Sequence, residues 1–372
     1  MKFTVKQNEL SRALDLCKTT ADSKSDNPFS RSVLLTVNKE NNTVSFFSTN
    51  LIVSAQCELI GSVESEGSCV LDSEKLRAAV RVMPAGMITI QADNKKFSAK
   101  ISGTGVQRKF GLHGLNPDHF PQIPKLDNPE KAPVYTLTQE QLDTAIKRVR
   151  QSSALVGAGR MHLAGVLFEF RETSFLSVAL NGITFSRFEQ KDDFGSYAGS
   201  FFVPAMAFSP IRLISEGDVS FSYTSTDLFI WSKVGRVTCK FPEGTFPDWK
   251  EIMRSSASME DLACEFDVEQ LMNIVRGLTS VAKGNLKLSL KGQVLSVALS
   301  KTADSQGDDT LPVKAAHDRT FECLMTSEAL MAVLEGAEGG IAKLLWDGSD
   351  TQPVTVASDD NYIGITMTLA RE

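Results

Sequence analysis

Apolar residues recur at helical spacing in three places along the chain, and each time a short alternating segment comes just before them. These segments begin at Phe3, Tyr135 and Cys264, and the first helical Leu lies 7 residues after each start. Positions i, i+3, i+4 and i+7 share one face of a helix, whereas alternation is typical of a strand. The sequence therefore predicts three strand-to-helix openings, with buried stripes at Leu10, Ala13, Leu14 and Cys17, at Leu142, Ala145, Ile146 and Val149, and at Leu271, Ile274, Val275 and Leu278.

A second strand-to-helix unit recurs about halfway through each copy, starting at Cys69, Phe202 and Cys323. Alternating segments fill the space between the helices, so each copy reads roughly as β-α-β-β-β-α-β-β-β, with room for an extra strand. Self-similarity at a fixed interval is the mark of a repeated unit. We predict three tandem α+β domains, each with two helices against antiparallel sheet, at residues 1–126, 127–257 and 258–372, with linkers at 124–133 and 254–263 and a polar insertion at 300–318.

Composition places the chain among ordinary water-soluble proteins. It has 372 residues, with 42% apolar and 23% charged residues, and it shows neither a membrane-length apolar run nor the apolar core of a secretory signal. A cytoplasmic protein is expected. The six cysteines are scattered without metal-ligand spacing, which favours reduced thiols in the core and predicts no metal and no cofactor.

Catalytic motifs do not emerge from the sequence. No phosphate-binding glycine loop, nucleophile elbow or zinc-protease motif is present. His113 and His162 are candidate bases, but neither has a recognisable nucleophile nearby. We therefore predict a protein that is not an enzyme.

Charge is distributed unevenly along the chain. The net charge is −6, which taken alone disfavours a nucleic-acid partner. Residues 1–126 have 16 Lys and Arg against 12 Asp and Glu, residues 127–257 have 14 against 15, and residues 258–372 have 9 against 18. The first segment is thus basic (+4) and the last strongly acidic (−9).

Several basic residues lie on helix faces opposite the predicted core. Such residues are usually only solvated, but their recurrence in successive copies favours a track that contacts phosphates. No aromatic or base-reading pattern accompanies them, so binding would be independent of sequence. The residues are Arg12, Arg77, Arg81, Lys147, Arg148, Arg150, Arg212 and Arg276.

The three copies, the opening "MKFTVKQNELSRAL" and the pair "HFPQIP" and "GTFPDWKEIM" together resemble the bacterial DNA polymerase III β subunit family, the β sliding clamps. The resemblance covers the whole chain. It implies the DNA clamp fold, in which two subunits join head to tail into a six-domain ring around double-stranded DNA with helices lining the hole. It also implies a processivity factor that hydrolyses nothing, tethers the replicative polymerase and is opened by a clamp loader. Lys24 joins the expected DNA contacts on this basis.

The resemblance further implies a dimer interface and a pocket for short partner peptides. The interface residues are Phe110 and Leu112, facing the helix around Leu278 of the other subunit, although each also fits an ordinary core position. The same ambiguity applies to several pocket residues. The pocket set is Leu163, Gly165, Leu180, Gly182, Phe185, Pro247, Ile252, Pro353, Val354, Met367 and Leu369.

This chain departs from the family pattern at that pocket. The usual Thr-Asp-Gly-His-Arg run is Leu180-Asn181-Gly182-Ile183-Thr184 here, and the usual terminal Met-Pro-Met-Arg-like run is Met367-Thr368-Leu369-Ala370. Two basic side chains are missing from the rim, so we expect a more apolar pocket with its own peptide preference. The alternative function is a repeat-built protein-interaction scaffold that does not encircle DNA.

Overall fold

The chain folds into two compact units, each assembled from two separate segments. The computed structural model describes residues 1–93, 95–126, 132–194, 198–256, 261–282, 284–300, 306–316, 320–346 and 352–369. One unit contains Met1–Gln139 and Met206–Phe241, and the other contains Glu140–Ala205 and Pro242–Glu372. The middle predicted repeat is therefore divided, because its two halves belong to different units.

The first unit contains three of the helices and thirteen strands of the described residues. Its helices are α1 (Gln7–Thr20), α2 (Ser73–Arg81) and α4 (Phe208–Ile214). Its strands are β1 (Lys2–Lys6), β2 (Ser32–Asn38), β3 (Thr43–Thr49), β4 (Val53–Ile60), β5 (Ser62–Ser65), β6 (Gly67–Asp72), β7 (Met87–Asp93), β8 (Ser98–Gly103), β9 (Lys109–Leu115), β10 (Tyr135–Thr138), β15 (Asp218–Tyr223), β16 (Asp227–Trp231) and β17 (Arg236–Lys240).

The second unit contains the remaining described elements. Its helices are α3 (Gln139–Val149), α5 (Trp249–Arg254), α6 (Val268–Val281) and α7 (Ser327–Ala337). Its strands are β11 (Gly165–Arg171), β12 (Ser174–Leu180), β13 (Thr184–Lys191), β14 (Gly199–Pro204), β18 (Leu262–Asp267), β19 (Asn285–Lys291), β20 (Val294–Leu299), β21 (Asp308–Pro312), β22 (Lys314–Ala315), β23 (Phe321–Thr326), β24 (Ile341–Leu345), β25 (Val354–Ser358) and β26 (Tyr362–Thr366).

Every described ladder is antiparallel, and two ladders join successive repeats. In the first unit a thirteen-stranded sheet runs in the order β10-β15-β16-β17-β4-β3-β2-β6-β9-β8-β7-β1-β5, and its β17–β4 ladder pairs Cys239 with Val53. In the second unit a nine-stranded sheet runs β14-β11-β12-β13-β26-β25-β24-β18-β22, and its β13–β26 ladder pairs Thr184 with Thr366. A four-stranded sheet, β21-β20-β19-β23, completes that unit.

The predicted stripes explain where the helices form and which faces they bury. Leu10, Leu142 and Leu271, the first Leu of each stripe, are fully buried. Several helices begin at a side-chain cap: Asp72 accepts a hydrogen bond from Lys75 N at 2.9 Å, and Asp267 accepts one from Gln270 N at 2.8 Å. Such caps satisfy amide groups that the first helical turn leaves unpaired.

The predicted fold class is confirmed, with one refinement. Each repeat has at least four strands between its two helices, because a further strand leads directly into the second helix, as β6, β14 and β23 do. The domain boundaries remain predictions: residues 127 and 257–258 lie outside the described residues, as do parts of both linkers and of the 300–318 insertion. Within the described residues, no helix is long and apolar enough to cross a membrane.

The two Phe-Pro stretches follow the last strands of the first and second repeats. Phe120 is buried against Phe29 and Phe47, with ring centroids 5.9 Å away in each case. Phe246 packs beside Phe202 at 5.8 Å in the other unit. All six cysteines lie in the interior, as the sequence predicted.

Candidate nucleic-acid and partner-binding surfaces

Most of the predicted DNA-contacting side chains are exposed, so their charges face solvent in this structure. Arg12 extends from α1, Arg212 from α4 and Arg276 from α6, and each is exposed. Arg150 begins the 3-10 turn that follows α3. Exposed cations therefore occur on or directly after the first helix of every repeat, and Lys24 and Arg81 are exposed as well.

Asp15 on α1 partly neutralises the cations of α2. Arg77 is half-buried and donates from Nε to Asp15 Oδ1, and Arg81 Nη2 lies 3.5 Å from the same oxygen. A carboxylate shared by two guanidinium groups offsets part of their charge. Arg77 is therefore oriented by the protein itself, whereas Arg81, whose side chain is 52% exposed, retains access to solvent.

Arg148 is a correction to the predicted track. The structure buries it to 2% exposure, and its guanidinium donates to Glu338 at 3.0 Å and to Asp360 at 2.8 Å. The Arg148 guanidinium carbon also lies 4.7 Å from the ring centre of Phe188 and 5.2 Å from that of Tyr362. An enclosed and paired cation presents no charge to a phosphate, so we remove Arg148 from the predicted surface.

The same cluster engages Lys147 and shifts the acidity of its carboxyl groups. Lys147 Nζ lies 2.6 Å from Glu338 Oε1, although the lysine itself remains exposed. Burial alone would raise the pKa of Glu338, but hydrogen bonds from Lys147 and Arg148 outweigh it and lower the pKa. Asp360 behaves likewise: burial opposes ionisation, while Arg148 and Ser358 lower the pKa by donating to it.

Four of the predicted pocket residues meet in one apolar cluster of the second unit. Leu163, Leu180 and Phe185 are buried in it, and Ile252 of α5 packs against it. Trp249, the first residue of α5, belongs to the same cluster and was missed, because a lone Trp after Phe-Pro carries no periodic signal. The cluster thus has an aromatic member that could contribute much of any contact area.

The turn between β12 and β13 lies beside this cluster and is held by its own asparagine. Asn181 Oδ1 accepts hydrogen bonds from Ile183 N at 2.9 Å and from Thr184 N at 2.8 Å. Gly182 has a φ of 92°, in the left-handed region that glycine adopts without strain. Met367 N donates to Ile183 O at 2.9 Å, which holds the Met367 backbone beside the turn, and the Met367 side chain is exposed.

The remaining pocket residues do not belong to the apolar cluster. Val354 is fully buried within β25 and Pro353 is half-buried just before it. Gly165 and Pro247 are neighbours in sequence of cluster members, and Leu369 N donates to Leu324 O at 2.7 Å. Of the predicted pocket residues, four therefore share one apolar cluster and the others lie outside it.

Cations lie near this region at positions other than the two where the resemblance implies that basic side chains are missing. Arg160 Nη1 donates to Asn181 O at 3.3 Å, directly beside Gly182. The guanidinium of Arg187 lies 5.9 Å from the Trp249 ring centre, and Lys250 Nζ lies 5.7 Å from it. These cations come from a loop, a strand and helix α5, which a linear comparison of motifs does not show.

The predicted interface residues lie on an incompletely paired strand. β8 pairs with β9 along residues 109–113, whereas among the described residues β6 pairs with β9 only at Gly114 and Leu115. Phe110 and Leu112 are half-buried and alternate with exposed neighbours. Leu278 of α6 is 9% exposed and packs within its own repeat.

Comparison with known proteins points to one group. A family model described as DNA polymerase III beta subunit, N-terminal domain, matches residues 1–124. A protein named beta sliding clamp from Chlamydia muridarum is 22% identical over 321 residues, covering 84% of each chain.

Solved structures agree over the full length. The DNA polymerase sliding clamp of Caulobacter crescentus superposes with a TM-score of 0.89 at 18% identity and covers 100% of both chains. The sliding clamp of Pseudomonas aeruginosa bound to griselimycin gives a TM-score of 0.87 at 18% identity, again over 100% of both chains. The repeat structure, the N-terminal match and the full-length superposition agree: residues 1–124 match the DNA polymerase III beta subunit family model, and the whole chain has the fold of the bacterial sliding clamps.

Proposed function

We propose that this protein is a DNA sliding clamp that encircles duplex DNA without sequence specificity and acts as a processivity factor for the replicative polymerase. The observation that carries the proposal is the threefold repeat of one α+β unit, superposable over its whole length on sliding clamps. Exposed cations near the first helix of every repeat support it, because phosphate contacts of this kind position a protein on DNA without reading bases.

The proposed ring is a homodimer of two head-to-tail subunits, with the helices lining the hole and six repeats in all. The half-paired edge of β9, carrying Phe110 and Leu112, supports an interface at the first repeat. The basic first segment (+4) and the acidic last segment (−9) support pairing of opposite ends, because complementary charge favours one orientation over the other.

The dimer is expected to weaken as salt rises. Between about 0.1 M and about 1 M salt the screening length falls from about 10 Å to about 3 Å, so attraction between oppositely charged ends largely disappears. We expect the dimer dissociation constant, measured by sedimentation, to increase about tenfold. Phe110→Ala serves as the comparison, because it weakens the dimer equally at both salt concentrations. A wild-type dimer indifferent to salt contradicts the role of charge.

Partners are proposed to dock short peptides beside the cluster of Leu163, Leu180, Phe185 and Trp249, with Met367 at its margin. These partners are the replicative polymerase, the clamp loader and other proteins with such a peptide. The exposed side chain of Met367, whose backbone is hydrogen-bonded to the β12–β13 turn, supports this, since thioether chains adapt well to varied apolar surfaces.

Shortening Met367 should therefore weaken peptide binding. Met367→Ala is expected to raise the dissociation constant of a partner's clamp-binding peptide about tenfold, as removal of a central apolar contact commonly does. Ile60→Ala is the matched control, because Ile60 is a solvent-exposed aliphatic residue, 81% exposed, of the other unit. Fluorescence anisotropy with both variants measures the effect, and equal affinity of Met367→Ala and wild type removes Met367 from the site.

We infer that the protein catalyses no reaction itself and works in the cytoplasm, where replication takes place. The alternative, an interaction scaffold that does not encircle DNA, shares the repeat fold but not the effect on synthesis. Primer extension on a singly primed circle, with the polymerase and loader of the same cell, tests the function. We expect the chain to lengthen the products made in a single binding event, and unchanged product lengths would favour the scaffold.

A further inference from the structure

A depression in the first unit lies at the repeat position equivalent to the proposed peptide site. It has a volume of about 220 Å³ and lies where β3, β4 and β17 meet the chain that follows Phe120. Leu51 and Ile52 line it and are 47% and 44% exposed, so two adjacent aliphatic side chains face solvent there. We call it the β3–β4 depression.

The backbone around the two sites follows one hydrogen-bonding plan. In the β3–β4 turn, Asn50 Oδ1 accepts from Ile52 N at 3.0 Å and from Val53 N at 2.7 Å, as Asn181 does in the β12–β13 turn. Lys240 N donates to Ile52 O at 2.9 Å, and Met367 N donates to Ile183 O at the same distance. The two turns and the strands beside them are therefore equivalent positions of the repeat.

Strand register extends the equivalence to the lining residues. Cys239 pairs with Val53 as Thr366 pairs with Thr184, so the residues that follow, Lys240 and Met367, correspond. Five residues that line the β3–β4 depression match predicted pocket positions through the turn and the strand register: Thr49 with Leu180, Leu51 with Gly182, Ser54 with Phe185, Asp227 with Pro353, and Lys240 with Met367. Pro121, which also lines it, corresponds to Pro247 as the proline of the Phe-Pro stretch.

The chemistry of the two sites differs. Threonine, serine and lysine replace Leu180, Phe185 and Met367, so the β3–β4 depression is polar where the other is apolar. Lys240 is exposed and has no ion pair among the described residues, and Lys125 is exposed directly after the lining residue Pro124. The carboxylate of Asp227 accepts a hydrogen bond from Thr226 Oγ1 at 2.6 Å, which already satisfies part of it. Because a neutral hydroxyl leaves the Asp227 carboxylate charged, the excess comes from the count: Lys240 and Lys125 against Asp227 leave one positive charge.

Leu51 is the strongest sign that the site binds something. Its φ is 75°, in the left-handed region where the equivalent Gly182, at 92°, is unstrained. A leucine there is strained, and strain of this kind is concentrated at binding sites. In this case the strained residue presents an apolar side chain to solvent, and Lys240, which has no ion pair in the described part of the chain, lines the same depression.

We propose that the β3–β4 depression is a second docking site for partner proteins, which takes an extended acidic peptide. An apolar side chain of the peptide lies over Leu51 and Ile52, and an adjacent carboxylate binds Lys240. The proposal rests on the proposed function in so far as the equivalent site of the second unit is taken to bind peptides. Each subunit then has two peptide sites of different chemistry. Partners with acidic peptides bind at the β3–β4 depression and do not compete with partners whose peptides bind beside Met367.

The test uses the full chain and two pools of fluorescein-labelled hexapeptides, one alternating Glu with Leu or Phe and one with Lys in place of Glu. We expect anisotropy to show binding of the acidic pool only. Lys240→Glu should weaken it at least tenfold. Leu51→Gly should weaken it several-fold while leaving the fold intact, since glycine relieves the strain. Met367→Ala should leave it unchanged.

Three outcomes overturn the proposal. They are no binding of the acidic pool to wild type, equal binding of the basic pool, and weakening by Met367→Ala without weakening by Lys240→Glu. A second measurement, retention of wild type and of the Lys240→Glu variant on circular DNA, distinguishes a failure of this proposal from a failure of the proposed clamp function. Loss of acidic-peptide binding with normal retention concerns the β3–β4 depression alone, whereas failed retention of wild type concerns the proposed function alone.

Discussion

Replacing Arg148 with Met is expected to lower the free energy of unfolding by about 3 kcal/mol, because it leaves two carboxylates without their buried partner. Arg148 is 2% exposed and donates to Glu338 and Asp360, and it lies against the rings of Phe188 and Tyr362. Methionine keeps the apolar contacts and loses the charge. Urea unfolding at pH 7 measures the difference.

Arg150→Met is the matched control, since Arg150 is exposed two residues later and its loss should change stability by less than about 0.5 kcal/mol. The pH dependence gives a second readout. The folded-state pKa values of Glu338 and Asp360 are lowered, so their stabilising contribution is present above their unfolded pKa values and is lost as pH falls through the folded ones. The gap between wild type and Arg148→Met should therefore shrink below about pH 4. A gap of equal size at pH 3 and pH 7 contradicts the ion-pair account.

Gly336→Ala is expected to destabilise the protein by about 3 kcal/mol, although alanine is the better helix former. Gly336 lies near the end of α7, where a Cβ atom would be 2.2 Å from Tyr362 Oη and 2.4 Å from Arg148 O. The carbonyl belongs to the backbone and the tyrosine is fully buried, so neither can move aside easily. Thermal and urea unfolding of the variant measure the cost.

Gly277→Ala in α6 provides the matched control for that substitution. No atom lies within 4 Å of the Cβ position at Gly277, which is exposed. This variant should gain about 0.5 to 1 kcal/mol from the lower entropy of the unfolded chain. The opposite signs of the two glycine substitutions are the expected result, and two stabilised variants would show that α7 is not packed as closely as described.

The repeated elements were predictable because their signals are local. A stripe such as Leu10, Ala13, Leu14 and Cys17 needs only helical periodicity, and all four residues are buried. All stripe residues of the first two openings are buried. In the third opening Ile274 is half-buried, and the other stripe residues are buried. Internal repetition then supplied the number of domains without any long-range information.

Arg148 was misplaced because its surroundings come from distant parts of the chain. Glu338 and Asp360 lie 190 and 212 residues further on, and no local pattern brings them to α3. One signal was nevertheless present in the sequence. The equivalent position of the first repeat is Leu16, an apolar residue that the structure buries to 3% exposure, whereas that of the third repeat is the exposed Gly277, so the signal came from the first copy alone.

The sequence did not predict the roles of three residues, for one physical reason. They are Arg160, Trp249 and Leu51. Each depends on how a loop or turn folds onto a neighbouring strand, and loop conformation is set by tertiary contacts rather than by periodicity. Arg160 donates to the carbonyl of Asn181, which lies 21 residues further along the chain. Leu51 adopts a left-handed backbone conformation that the presence of a leucine does not predict.

Retention on DNA after linearisation tests the central claim most directly. The protein is loaded by the clamp loader of the same cell onto a nicked circular plasmid, separated from free protein by gel filtration, and the plasmid is then cut once with a restriction enzyme. A ring held by topology remains on the circle and is released when it slides off the cut ends, so the protein should leave the DNA fraction on cleavage. Equal retention on circular and linear DNA, or failure to co-elute with the circle, contradicts a clamp that encircles DNA.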